Sequence, residues 1–137
     1  MRIFFDSSAF AKRYLAEPGT REVLAWCDRA VEIGLSAIAL PEIVSAFCRL
    51  KREAKITPTQ YQQLKNELIG DVEDVAICDL APNVLAGSIR ALEASSLRSM
   101  DAIHIASALA LECDLFVSAD QRQCEAAALA GLNVERV

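Results

Sequence analysis

Ser99-Met100-Asp101-Ala102-Ile103-His104-Ile105-Ala106-Ser107-Ala108, followed shortly by Leu115-Phe116-Val117-Ser118-Ala119-Asp120, decides how the rest of the chain is read. The first segment continues to about Glu112 and has the length and composition of a helix capped by Ser99. The second is a short apolar run of strand type that leads to an acid. Residues 121 to 130 return to a helical pattern, closed by Gly131. Helix, strand and helix in immediate succession form the unit from which helix-covered parallel sheets are built.

Working outward, the same alternation covers the whole chain. Residues 2 to 6 read as a first strand. Residues 8 to 16 read as a short helix stopped by Pro18-Gly19. Residues 20 to 31 place Val23, Leu24, Cys27 and Val31 on one helical face, and residues 32 to 37 form a second strand. Pro41 suits the first turn of a helix running to about Lys55. Thr57-Pro58-Thr59-Gln60 is a capping box that starts another helix, to about Gly70. Residues 75 to 78 form a third strand, Pro82 opens a helix to about Ser95, and residues 133 to 137 form a last strand. The expectation is one α/β domain over residues 1–137. It has three layers, with a central, mostly parallel five-stranded sheet flanked by helices.

Composition limits the function classes. Of the 137 residues, 53% are hydrophobic, an excess that implies a covered apolar surface such as a dimer or partner interface. No apolar run approaches the roughly 18 residues of a membrane span. Charged residues within residues 1–15 do not fit a signal peptide, so the expected compartment is the cytosol, without membrane association. The five cysteines contain no C-x-x-C pair and read as reduced core residues. A net charge of −5 argues against non-specific nucleic-acid binding but leaves room for a local basic patch. Arg49, Lys51, Arg52 and Lys55 form the densest basic cluster, read as a solvated helix face.

Four acids stand where carboxylates are normally excluded, at the edges of apolar runs. Asp6 closes Arg2-Ile3-Phe4-Phe5, Glu42 follows Leu35 to Pro41, Asp101 opens Ala102 to Leu111, and Asp120 follows Leu115 to Ala119. In a parallel α/β sheet, residues after strands and in the first turns of the connecting helices share one edge, where ligands bind. Two like charges about 5 Å apart repel by roughly 3 kcal/mol at an effective dielectric of about 20. A cluster of four therefore calls for a cation, and carboxylates suit the hard ions Mg²⁺ or Mn²⁺.

Four stretches also resemble a known family. Asp6-Ser7-Ser8-Ala9-Phe10-Ala11-Lys12 resembles the opening motif of PIN-domain proteins, and Pro41-Glu42-Ile43-Val44-Ser45-Ala46 their second motif. The Asp101-Ala102-x-His104-x-Ala106 helix is similar to their most specific stretch. Val117-Ser118-Ala119-Asp120-Gln121-Arg122 resembles the closing motif. The resemblance spans nearly the whole chain, in order. It implies a PIN-like fold and a metal-dependent endoribonuclease, in particular a VapC-type toxin of a toxin–antitoxin pair. It also implies Asp6, Glu42, Asp101 and Asp120 as catalytic and metal-binding residues, with Ser8 and Ser118 supporting them. The implied partners are an RNA substrate, an antitoxin protein and a second copy of the chain.

Other readings are weaker. An aspartyl-nucleophile phosphatase wants a second Asp where Ser8 stands. A phospho-acceptor receiver domain wants a Lys that Ser118-Ala119-Asp120 does not provide. An interaction module, or an RNA-processing factor without a toxin role, remains the alternative. His104 reads as a hydrogen-bonded structural residue, and Asp114 as a turn cap. Asp71, Glu73, Asp74 and Asp79 read as solvated turn residues, and Lys12, Arg13 and Arg98 as candidate phosphate contacts. Ile43, Val44, Phe47 and Leu50, with Tyr61, Leu64 and Leu68, predict a helical hairpin with surplus apolar side chain, and hence a groove for an antitoxin segment.

Overall fold

Ile3, Phe4 and Phe5 have no solvent exposure, and a strand with nothing polar on either face belongs in the middle of a sheet. In the computed structural model, which describes residues 1–137, β1 (Arg2–Phe5) is that central strand. It lies between β2 (Glu32–Ser36) and β4 (Leu115–Ser118), with β3 (Ala76–Cys78) and β5 (Val134–Arg136) at the edges. The order is β3-β2-β1-β4-β5, and every pair is parallel rather than most of them. Both edge strands have only three residues, which leaves little unpaired backbone for another chain to extend.

Parallel neighbours require crossovers, and helices supply all of them. α1 (Ser7–Phe10), a 3₁₀ turn (Ala11–Arg13) and α2 (Thr20–Arg29) join β1 to β2. α3 (Ala39–Arg52) and α4 (Pro58–Val72) join β2 to β3. α5 (Pro82–Ala94) and α6 (Ser99–Ala110) join β3 to β4, and α7 (Gln121–Leu129) joins β4 to β5.

Side chains alternate across the sheet and so divide the core in two. Ile3, Phe5, Leu35, Leu115 and Val117 pack with Phe10, Val23, Ile43, Phe47 and Leu68 from α1 to α4. Phe4 and Phe116 point the other way, stacked with ring centroids 5.6 Å apart, against Ile105, Ala108, Ala126 and Ala127 of α6 and α7. The result is helix, sheet, helix.

Several elements depart from the sequence reading for local reasons. The helix expected over residues 8–16 is a single α turn and a 3₁₀ turn, started by the Asp6 carboxylate accepting from the Ala9 N–H at 2.9 Å. Ser99 is the first residue of α6 rather than its cap; Arg98 occupies the cap position with no side-chain bond. α3 starts at Ala39, two residues before Pro41, which is tolerated because the first helical N–H groups have no intrahelical acceptor. Asp71 is not a solvated turn residue. It lies in α4 and accepts from Arg13 Nε at 3.1 Å and Tyr14 Oη at 2.7 Å. Asp114 accepts from the Arg2 N–H at 2.7 Å and so fixes the start of β1. The capping box at Thr57 is present with both bonds. No helix is long and apolar enough to cross a membrane.

The two-sided core sets a ranking of mutational costs. Phe116→Ala is expected to remove about 3–5 kcal/mol of unfolding free energy, against about 1 kcal/mol for Thr57→Ala. Urea denaturation of both variants measures the difference, and equal losses would contradict this core.

Candidate active site

The strand order changes direction between β1 and β4, and the acids collect at the C-terminal ends of these strands. Asp6 directly follows β1 and caps α1. Asp120 follows β4 and caps α7, accepting from the Gln123 N–H at 3.2 Å. Glu42 and Asp101 lie in the first turns of α3 and α6. Each acid thus sits at the positive end of a helix, which favours its charged form.

Asp6 is 4% exposed. Its Oδ1 accepts from Ser8 Oγ at 2.7 Å and from the Ala9 N–H, and its Oδ2 from Ser118 Oγ at 2.5 Å. Burial raises its pKa, and these bonds together with the nearby His104 only partly offset that. Ser8 Oγ also accepts from the Ala119 N–H at 3.1 Å, and Ser118 Oγ from the Asp120 N–H at 3.0 Å. The two serines therefore tie the segment after β1 to the segment after β4.

Glu42 is held differently. Its Oε1 accepts from Ser7 Oγ at 2.7 Å and lies 2.6 Å from His104 Nε2. Burial alone would raise its pKa; the bonds from His104 and Ser7 outweigh it and keep the carboxyl below its ordinary value. His104 is buried on α6, its ring edge-on to Phe4, and its Nδ1 has no partner. Nε2 is then the nitrogen that carries the hydrogen toward Glu42.

Asp101 receives no comparable donor. Its pKa is raised by burial first, then by the charges of Asp120, Asp6 and Glu42, with His104 acting in the opposite sense. Each of the other three acids is thus close enough to act on it. Glu42, Asp101 and Asp120 line one open cavity of about 1020 Å³, together with Arg98, Arg122, Ser96 and Ser99. Asp6 is buried but within electrostatic reach.

The carboxylates share this rim without closing on a point. No three His, Cys, Asp or Glu side chains stand close enough to enclose an ion. Serine, histidine and backbone donors each hold one of Asp6, Glu42 and Asp120. The donor set nonetheless fits a hard divalent cation. It consists of carboxylate oxygens, a carboxylate has about four acceptor positions, and Asp101 has both oxygens free of protein donors while feeling three like charges.

His104 is hydrogen-bonded as expected, with Glu42 as the partner the sequence did not name; Ser7 as a second donor on Glu42 and Gln123 behind Asp101 were missed. Ser7 beside Asp6 and a glutamine three residues after Asp120 were the available signals. Lys12 and Arg13 are not free for phosphate: Lys12 Nζ donates to the Pro18 carbonyl at 2.5 Å, and Arg13 pairs with Asp71. Arg98 makes no ion pair and stays at the rim.

The PIN domain family model matches residues 3–129. The chain belongs to the PIN-domain family. Its curated relatives include ribonucleases VapC45 and VapC49 of Mycobacterium tuberculosis, each 30% identical over 112 residues, covering 80% of this chain and 76% of the relative. Among solved structures it resembles a chain of VapBC2 from Rickettsia felis bound to a promoter DNA fragment, with a TM-score of 0.72 and 13% identity. That match covers 100% of this chain and 99% of the other. At this identity the likeness is one of fold. PIN-domain nucleases of the VapC type are in general divalent-metal dependent.

A raised folded-state pKa makes ionised Asp101 a burden on the metal-free fold. Its favourable contribution is complete below the unfolded value, about 3.9, and is lost as pH rises through the raised folded value. Asp101→Asn in EDTA is therefore expected to leave Tm unchanged or raise it by up to roughly 5 °C at pH 7. The gain should vanish below about pH 4. Thermal scans at both pH values measure it, and a clear loss at pH 7 would make Asp101 a structural cap.

Proposed function

We propose that this chain is a divalent-metal-dependent endoribonuclease acting as the toxin of a toxin–antitoxin pair. One observation carries the reading: three carboxylates line a single solvent-open cavity, and a fourth, buried, acts on it electrostatically. The ribonuclease relatives supply the substrate class.

Asp6, Glu42, Asp101 and Asp120 are the proposed ligands of Mg²⁺ or Mn²⁺. When bound, such an ion supplies a Lewis acid for the phosphoryl oxygen and water of lowered pKa for hydrolysis. The protein's share is orientation. Ser8, Ser118 and the Ala9 N–H fix both oxygens of Asp6, and Ser7 and His104 fix Glu42. Arg98 and Arg122, free of ion pairs at the cavity rim, are placed to hold RNA phosphates on a chain whose net charge is −5.

An antitoxin segment fits the groove beside the α3–α4 hairpin. This cavity of about 890 Å³ is lined by Ile43, Ala46, Leu50, Ile56 and Leu64, with Arg49 and Lys55. It shares Glu42 with the acidic cavity. An amphipathic helix in this groove would reach the acids with one basic side chain. Phe47, expected on this apolar face, is not part of the groove: it is fully buried in the core. A second copy fits α5, which exposes Leu85, Ile89 and Leu92 along one stripe at 44%, 55% and 38%.

Cleavage of single-stranded RNA should require Mg²⁺ or Mn²⁺ and stop in EDTA. Asp6→Asn and Asp101→Asn should each lower the rate by about 100-fold or more with circular dichroism unchanged. Full activity in EDTA or in either variant would reject the assignment. Leu50→Glu should abolish antitoxin binding, and Ile89→Glu should convert a dimer to a monomer by light scattering. Unchanged antitoxin binding would remove the groove, and a monomeric wild-type chain would remove the dimer.

A further inference from the structure

Gln123 is the third residue of α7 and 1% exposed, among the largest fully buried side chains of the protein. Ala126 and Ala127, further along the same helix, belong to the apolar cluster on that face of the sheet. Its backbone N–H donates to Asp120 Oδ1 at 3.2 Å. Its side-chain Nε2 donates to the Asp101 carbonyl at 3.1 Å, across 22 residues of sequence. Its Oε1 is buried with no partner.

Packing does not explain this residue. A buried carboxamide with an unpaired oxygen is less favourable than an apolar side chain of similar volume. What a methionine or leucine there would lose is the one side-chain hydrogen bond from α7 to the Asp101 carbonyl of α6. Asp101 and Asp120 sit at the starts of these two separate helices. The Gln123 backbone N–H caps onto the Asp120 carboxylate, as that of any residue but proline could, and its side chain alone reaches across to the Asp101 backbone carbonyl. It does not line the cavity, so it touches neither substrate nor ion.

We propose that Gln123 is a positioning residue that sets the distance between Asp101 and Asp120 and thereby the affinity of the site for a divalent cation. The inference rests on reading the acidic cavity as a metal site. Residues that orient ligands from behind typically change metal affinity about 10–100-fold when replaced. Mg²⁺ tolerates little departure from octahedral geometry, so its affinity should fall most.

The test uses Gln123→Met, with Gln123→Leu as a second apolar variant. Mn²⁺ affinity is measured by electron paramagnetic resonance, Mg²⁺ by competition, and Tm in EDTA. The expected result is an apo Tm equal to or above wild type, with Mn²⁺ binding weakened about 10-fold or more. The KM for RNA at saturating Mn²⁺ should be unchanged. Wild-type affinity in both variants would overturn the proposal. So would affinity and apo Tm falling together in both, which marks a purely structural role. A wild-type chain that fails to bind Mn²⁺ would overturn the metal reading itself, and this inference with it.

Discussion

Burying a carboxylate is unfavourable by several kcal/mol unless donors surround it, and Asp6 is buried at the mouth of the sheet. Its donors come from three places: the Ala9 N–H in α1, Ser8 beside it, and Ser118 at the end of β4. Meeting the needs of one carboxylate therefore joins β1 and its neighbour β4 at their C-terminal ends. Ser8 and Ser118 pass the connection on to the Ala119 and Asp120 N–H groups. The start of α7, and with it Asp120, is placed by the same network.

The remaining acids show two responses to crowding. Glu42 is surrounded by donors and held in its charged form by His104 and Ser7. Asp101 has no donor of this kind; burial first, and then the charges of Asp120, Asp6 and Glu42, outweigh His104 and push it toward its neutral form. Four helix N-termini meet at this edge, and their partial positive charge favours the anions without neutralising them. The carboxylates share this rim, and no three of them stand close enough to enclose an ion.

The surface around this rim is divided by charge and polarity. On one side the acidic cavity carries two unpaired arginines, Arg98 and Arg122. On the other it meets a half-apolar groove with basic residues at the end of α3. The cations of that cluster are favourable where they lie, since Arg49, Lys51 and Arg52 occupy the last turn of a helix. Lys51 also lies over the Tyr61 ring at 4.2 Å, a contact between the two helices of the hairpin.

The succession of strands and helices, the capping box at Thr57 and the common edge of four acids were legible in the chain. These follow from local periodicity and from the handed, parallel connectivity that periodicity imposes. The order of strands in the sheet, with β1 at its centre, came from the structure. Helix ends at Asp6, Ala39 and Arg98 were less legible, because which donor fills a cap depends on what lies beside it. Ser8 and Ser118 were legible as supporting residues through the family resemblance, but not the bonds by which they hold Asp6, nor the pairing of Glu42 with His104 and Ser7. Ser118 and His104 stand 112 and 62 residues from the acids they bind. Sequence spacing determined that the acids would share an edge. Only the tertiary structure decided which serine, histidine and glutamine hold each of them, because hydrogen bonds require ångström-scale positions that packing of the whole sheet sets.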